Sequence, residues 1–319
     1  MIAIDPGSMG HVALVAGGDS AEREVSLKGG DAVAQALQNL GVNFSRMDGA
    51  RRLLEQVSAG HFDRVFNLLH GRGGEDGALQ GALCLYGVPV TGSGVLASAL
   101  TMSKAQTKRI WQATGLPTPA FRRLHRAQCH DQDGHLDLAV IEAAMAGLEG
   151  PVFVKPNREG SSLGMTRLTD RGALAGALRH AFELDDEVLV EALIEGRELT
   201  VGLVGETTLP IIELKTPRAF YDFDAKYAAT DTEYVCPAEL PSDLSAELAR
   251  LAKEAFDATG ARGWGRVDLM LDGANRPWLL EINTTPGMTP NSLLPKAAAA
   301  SGMTFEELVW QILSQAEIA

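Results

Sequence analysis

The chain has 319 residues, a length that suits two or three domains. Hydrophobic residues make up 45% and charged residues 22%, the balance of a well-packed soluble globular protein. The formal net charge of -13 argues against a nucleic-acid binder, which would carry a basic footprint, although a local cluster of Lys and Arg could still hold a small anion. Cys84, Cys129 and Cys236 stand far apart and read as reduced thiols in a cytosolic setting. There is no basic start followed by an apolar run and no long apolar stretch, so neither a signal peptide nor a membrane span is expected. MIAIDPGSM at 1–9 has little pattern and reads as a frayed extension.

HVALVAGG at 11–18 reads as a short strand running into two glycines, with a helix opening near Ser26 and continuing past Gln38. A glycine turn here could cradle phosphate, but GGDS lacks the G-x-G-x-x-G spacing. Glu22, Arg23 and Glu24 fall in the loop after that strand, where open α/β sheets place ligands. Strands are expected at 43–47, 64–69 and 88–90, and helices at 51–59 and 79–85. The third strand runs into HGRGGEDG at 70–77, where four glycines mean a sharp turn or close approach to a ligand. The alternation implies a small doubly wound domain ending near residue 100. A helix over 99–114 carries Lys104 and Lys108, and GLPTP at 115–119 breaks it and opens a second domain. His125, His130, His135 and Cys129 follow in a polar loop without the spacing of a zinc site.

PVFVKP at 151–156 is a strand ending in Lys155. The loop NREGSSLG caps a hairpin that returns at 165–168, and its backbone N–H groups, with Ser161 and Ser162, could cover an anion; a solvated loop is the alternative. In EVLVEALI at 187–194, Glu191 interrupts an apolar strand, either to bond a nucleotide amine or sugar hydroxyl or as a solvated acid on an edge strand. A turn is expected over 195–198. The segment 217–237, PRAFYDFDAKYAATDTEYVCP, has no period and mixes aromatics with charges; Lys226 and Tyr227 are its candidates for touching substrate. An amphipathic helix spans 244–259, with Gly260 as its cap.

WGRVDLMLDGANRPWLLEINTTPGM at 264–288 reads as a hairpin turning at Asp272-Gly273. Arg266, Asp268 and Met270 share one face and Val267, Leu269 and Leu271 the other. Leu279, Glu281 and Asn283 are placed on one face of the return strand, and if the hairpin closes near residues 274 and 275, Asp268 lies nearly opposite Glu281. Facing carboxylates repel unless a cation lies between them, and two carboxylates with an amide oxygen suit a hard cation such as Mg2+. Ordinary surface acids are the alternative. A helix over 303–315 starts from a capping box of Thr304 and Glu307.

HGRGGEDGALQG at 70–81, KPNREGSSLGM at 155–165, YDFDAKY at 221–227, and GRVDLM with LLEINTTPGMTPNSL at 265–293 together resemble the D-alanine–D-alanine ligase family of the ATP-grasp superfamily. The resemblance runs from about residue 11 to 315. It implies an ATP-grasp fold preceded by a small doubly wound, Rossmann-like N-terminal domain. The domains would be 1–102 with the first D-alanine site, 103–190 with the phosphate loop, and 191–319 with the metal site. It implies that Asp268, Glu281 and Asn283 hold two Mg2+ ions, for which Mn2+ can substitute, and leaves open a monovalent cation such as K+. Lys104, Lys155 and Lys226 would contact ATP phosphates, beside Ser162 of the loop. Glu191, Ala192, Ile194 and Glu198 would form the adenine and ribose site.

Glu22, His70 and Ser161 would position the first D-alanine, Arg266 and the Gly287 backbone would stabilise an oxyanion, and Ser292 would bind the second carboxylate. Tyr227 matches enzymes making the dipeptide rather than D-alanyl-D-lactate. The implied reaction has two steps: the first carboxylate attacks the γ-phosphate of ATP, and the second amine displaces phosphate from the acyl phosphate. The implied setting is a cytoplasmic homodimer serving peptidoglycan precursor synthesis, with small-molecule substrates and neither nucleic acid nor membrane as partner. Asn157, Cys84, Ser103, Asn291 and Val90 depart from the residues common in the family. The alternatives are a related ATP-grasp ligase making D-alanyl-D-lactate or another dipeptide, and a nucleotide-binding regulator without chemistry.

Overall fold

The structure is a computed structural model that describes residues 5–218 and 231–319. The YDFDAKY segment, with Lys226 and Tyr227, lies outside the described residues. Three sheets organise the rest. The first is parallel, in the order β2-β1-β3, from β1 (Val12–Ala16), β2 (Phe44–Asp48) and β3 (Arg64–Asn67). Crossovers are helical: α1 (Arg23–Asn39) and α2 (Gly49–Ser58). All five β1 residues are buried, because both faces of a parallel sheet are covered. Val12, Leu14 and Ala16 face α1, and Ala13 and Val15 face α2 and α3 (Ala78–Leu85). Gly30 lets α1 press onto β1, since a Cβ there would lie 2.8 Å from that of Ala16.

Some local expectations need correction. The 88–90 segment is not a strand: Val90 makes one parallel bridge to Val65 and one antiparallel bridge to Glu317, so the C-terminal tail returns to this sheet. Residues 6–9 are a 3-10 turn with Met9 buried, and Arg64 Nε donates to the Met9 carbonyl at 2.8 Å. The helix at 99–114 is two, α4 (Val95–Met102) and α5 (Lys104–Ala113). Ser103 between them has an extended ψ of 100°, and its hydroxyl accepts from the Gln106 N–H, a helix N-cap.

The second sheet has the order β4-β7-β5-β6, from β4 (Phe121–His125), β5 (Val152–Pro156), β6 (Thr166–Leu168) and β7 (Glu187–Ala192). The β5–β6 pair is the expected hairpin capped by the 157–164 loop. Helices α6 (Arg126–Cys129), α7 (Leu138–Ala144) and α8 (Leu174–Leu184) accompany it, and Leu178, Ala181 and Phe182 of α8 fill its core with Val152, Val154 and Val190. Strand β7 is interior, so Glu191 is not on an edge.

The third sheet has the order β11-β10-β8-β12-β13, with β9 (Thr207–Thr208) beside β8. Its strands are β8 (Gly196–Val204), β10 (Ile212–Lys215), β11 (Glu233–Val235), β12 (Trp264–Asp272) and β13 (Pro277–Asn283). Because β8 starts at Gly196, Arg197 and Glu198 belong to a strand and not to a turn. Alternation along β12 holds: Val267, Leu269 and Leu271 are buried against α9 (Ser242–Ala258), while Arg266, Asp268 and Met270 line the other face. Each such buried aliphatic side chain contributes about 1.5–3 kcal/mol.

Asp268 pairs with Glu281, as the hairpin geometry predicts, but Leu269 then pairs with Leu279. This bulge skips Leu280 and turns Leu279 into the core, so Leu279 does not share the face of Glu281 and Asn283. Helices α10 (Leu293–Ala300) and α11 (Phe305–Ser314) close the chain and pack on α1 and β1 in one core with Trp264 and Met288. The Thr304–Glu307 capping box is present.

Candidate active site

A cavity of about 510 Å³ opens between the second and third sheets. Lys155 borders it from β5, Glu191 and Ala192 from β7, Ile194 from the chain joining β7 to β8, and Ser162 from the 157–164 loop. Glu198 borders it from β8, Arg266 and Asp268 from β12 and Glu281 from β13. Nine residues singled out from the sequence therefore meet at one space. They come from two sheets because the polar faces of both turn toward it.

The charges in this cavity are compensated. Arg266 donates twice to Asp268, from Nε to Oδ1 at 2.9 Å and from the guanidinium terminus to Oδ2 at 2.8 Å. Asn283 Nδ2 donates to Asp268 Oδ2 at 3.0 Å, and Thr200 Oγ1 to Oδ1 at 2.5 Å. Glu281 Oε2 lies 3.2 Å from Lys104 Nζ, which also donates to the Glu159 carbonyl at 2.7 Å. Among the described residues no three His, Cys, Asp or Glu side chains cluster as a metal site. A divalent cation at Asp268, Glu281 and Asn283 would therefore complete its shell with substrate or water oxygens. That donor set fits Mg2+, which binds through few carboxylates and retains other oxygens.

Glu191 is 2% exposed and lies between two lysines, Lys155 and Lys108. Burial pushes its carboxyl up, but the two ammoniums outweigh this and hold it below the ordinary range. Burial pushes Lys108 down against the pull of Glu191, whereas for Lys155 the carboxylates Glu191 and Glu281 overcome burial and raise it. Lys108 is a site residue that the sequence reading passes over, as are Thr200 and the Arg197–Glu213 pair, bonded at 2.6 and 2.8 Å beside the cavity.

A second group forms where the first sheet meets the 157–164 loop. Ser161 donates to Glu22, at the start of α1. Buried His70 bonds the Thr285 backbone and feels the Glu22 charge; burial dominates and lowers its pKa. Ser161 and Ser162 have φ of 50° and 59°, the left-handed region that places successive N–H groups on one side of a loop. Arg72 reaches across to Glu159 at 3.1 Å. Gly287 and Ser292 adjoin this group: a Cβ on Gly287 would lie 3.0 Å from Ser292 Oγ and 3.9 Å from Val25 of α1. Ser292 Oγ accepts from the Thr289 N–H at 3.1 Å.

Two of the unusual positions prove to be partners. Asn157 Nδ2 donates to Ser103 Oγ at 2.9 Å and to Glu187 Oε2 at 2.9 Å, and its Oδ1 accepts from the Ala105 N–H at 2.8 Å. The Lys104 N–H donates to the Asn157 carbonyl at 3.1 Å. The start of α5, which carries Lys104, is thus bolted to the chain just past β5, where the 157–164 loop begins.

The fold and this site define an ATP-grasp enzyme preceded by a doubly wound domain. Sequence comparison agrees: the family description "D-ala D-ala ligase C-terminus" matches residues 110–314 and "D-ala D-ala ligase N-terminus" matches 43–93. A D-alanine--D-alanine ligase from Halorhodospira halophila is 51% identical over 312 residues, covering 98% of both chains. The D-alanine--D-alanine ligase structure from Bacillus anthracis superposes with a TM-score of 0.82 at 31% identity, over 95% of this chain and 96% of that one. The VanG D-Ala:D-Ser ligase of Enterococcus faecalis gives 0.81 at 27% identity, over 95% and 98%. The chain belongs to the D-alanine–D-alanine ligase family.

Proposed function

We propose that the chain joins two D-alanines into D-alanyl-D-alanine at the expense of ATP, giving ADP and phosphate for peptidoglycan precursor synthesis. The observation that carries the residue assignments is the contact between two unlike sites. A polyanion site with Lys155 and the Asp268–Glu281 pair meets, through the 157–164 loop and Lys104, a small site of Glu22, Ser161 and His70.

Glu22, steadied by Ser161, takes the ammonium of the first D-alanine. Its carboxylate then points toward the phosphates held by Lys104, Lys155, Ser162 and, from outside the described residues, Lys226. Glu191, Ala192, Ile194 and Glu198 receive adenine and ribose. Asp268, Glu281 and the Asn283 amide would hold two Mg2+ ions, which when bound neutralise phosphate charge. A carboxylate oxygen attacks the γ-phosphorus, the bond to the bridging oxygen breaks, and ADP leaves with its electrons. The neutral amine of the second D-alanine, its carboxylate on Ser292, attacks the acyl phosphate carbon. Arg266 and the Gly287 N–H stabilise the oxyanion until the C–O bond breaks, phosphate leaving with its electrons and the surplus amine proton passing to phosphate or water. Tyr227 selects the amine over D-lactate.

The assignment divides the chain at 1–102, 103–190 and 191–319, with β7 ending two residues past the second boundary. A homodimer forms through the first part, where Leu85 and Leu96 are 88% and 71% exposed on neighbouring helices. ATP as substrate and free cysteines suit the bacterial cytoplasm. D-alanine labelled with oxygen-18 in its carboxylate tests the first step. One label per turnover should appear in phosphate; unlabelled phosphate contradicts an acyl phosphate.

A further inference from the structure

Lys108 on α5 is fully buried and takes no part in the steps above. Three oxygens surround its Nζ: Thr118 Oγ1 at 2.8 Å, Glu191 Oε2 at 2.9 Å and the Leu279 carbonyl at 3.2 Å. They come from the segment before β4, from β7 and from β13. Thr118 and Leu279 accept hydrogen bonds from this ammonium, and the Glu191 oxygen meets it as an ion pair. Thr118 Oγ1 donates onward to the same Leu279 carbonyl at 2.8 Å, which leaves its lone pairs for Lys108. The other Glu191 oxygen pairs with Lys155. Two ammoniums and one carboxylate leave one positive charge in the trio. Without Lys108, Glu191 and Lys155 would neutralise each other.

We propose that Lys108 is a positioning residue for ATP: it shares the Glu191 carboxylate, so that Lys155 keeps a net positive charge for the nucleotide phosphates. By holding the Leu279 carbonyl it also ties that charge to the β12–β13 bulge next to Glu281. The inference rests on the reading of Lys155 as a phosphate contact.

The test compares Kd for ATP and for adenosine, with Mg2+ present, by calorimetry on the full chain. Adenosine lacks phosphate and reports an intact nucleoside pocket. Lys155→Met should weaken ATP and spare adenosine. Lys108→Met should do the same, weakening ATP about tenfold or more, as expected for a buried charge pair that loses one partner. Adding Glu191→Gln to Lys108→Met should restore much of the ratio of ATP to adenosine affinity, because a neutral side chain no longer claims Lys155, while any loss of the Glu191 contact with adenine lowers both ligands alike. A merely structural lysine would give a double variant weaker than the single. Normal ATP binding by Lys108→Met, with Lys155→Met impaired, overturns this inference alone; normal binding by Lys155→Met defeats the phosphate assignment beneath it. If Lys108→Met loses adenosine through misfolding, Glu191→Gln is compared with the double variant. Equal ratios of ATP to adenosine affinity support the proposal, and a tenfold lower ratio in the double overturns it.

Discussion

Asp268 and Glu281 face each other in register across β12 and β13, and each is met by a cation, Arg266 on one and Lys104 on the other. Facing carboxylates repel, and the two cations offset that repulsion. On the proposed assignment this pair would take a metal, and Lys104 and Arg266 would then engage phosphate and oxyanion. Glu281→Gln keeps the shape and removes one charge. Charge neutralisation of this kind supplies several kcal/mol, so kcat should fall about a hundredfold or more. Steady-state phosphate release at saturating Mg2+ measures it, and near-normal kcat would refute the metal assignment.

Ser161→Ala removes the hydroxyl that steadies Glu22. A hydrogen bond to a charged group has a net value of about 1.5–3 kcal/mol, so KM for the first D-alanine should rise roughly tenfold or more. ATP affinity should change far less, because Lys155 and the loop backbone remain. Equal losses for both substrates would place Ser161 in loop integrity instead.

Asn157→Ala tests the bolt between the chain just past β5 and α5. It leaves the Ala105 N–H without its acceptor and Glu187 Oε2 without its donor, and takes from Ser103 Oγ one of its two donors, at a residue that is fully buried. Unmet buried groups cost about 1–3 kcal/mol each, so urea unfolding should show a loss of about 2 kcal/mol or more. An unchanged midpoint would show that these bonds are exchanged freely with water.

Glu75, in the loop after His70, gives a pH signature. Burial, and then the nearby Glu22, push its carboxyl up to about 8, with Glu281 adding to this and the Gly71 N–H and Lys104 opposing. Between an unfolded value of about 4.5 and a folded value of about 8, the native state binds more protons than the unfolded chain. This group therefore makes stability fall as pH rises through that window. Glu75→Gln should flatten the fall, so the gap in melting temperature between variant and parent should widen toward pH 8. A gap independent of pH would contradict the shift.

The legible parts of the fold are local ones. The period-2 pattern of 264–272, with the hairpin closing near residues 274 and 275, puts Asp268 nearly opposite Glu281, and in the structure a bulge after Asp268 completes that pairing. The bulge that buries Leu279 is not readable, because it is set by how β13 meets β12 and α5. For Glu191 the strand alone leaves both a nucleotide contact and a solvated edge acid open; that β7 lies inside its sheet depends on pairing with β4, some 65 residues away in sequence. Lys108 can be placed on its helix from the sequence, but its role shows only where Thr118, Glu191 and Leu279 converge on it. The break at Ser103 does carry a signal, since serine before a charged helix start is an N-cap residue. Glu22, His70 and Ser161 are distant in sequence, and their grouping follows from family resemblance rather than pattern.

The central claim is that this site activates one D-alanine with ATP and passes it to a second. Product analysis by mass spectrometry, with ATP, Mg2+, D-alanine and competing D-lactate or D-serine near neutral pH, tests it most directly. The account predicts D-alanyl-D-alanine as the main product, one phosphate per dipeptide, and no phosphate when either Mg2+ or D-alanine is left out. A dominant ester or mixed dipeptide, or ATP binding without phosphate release, would contradict it.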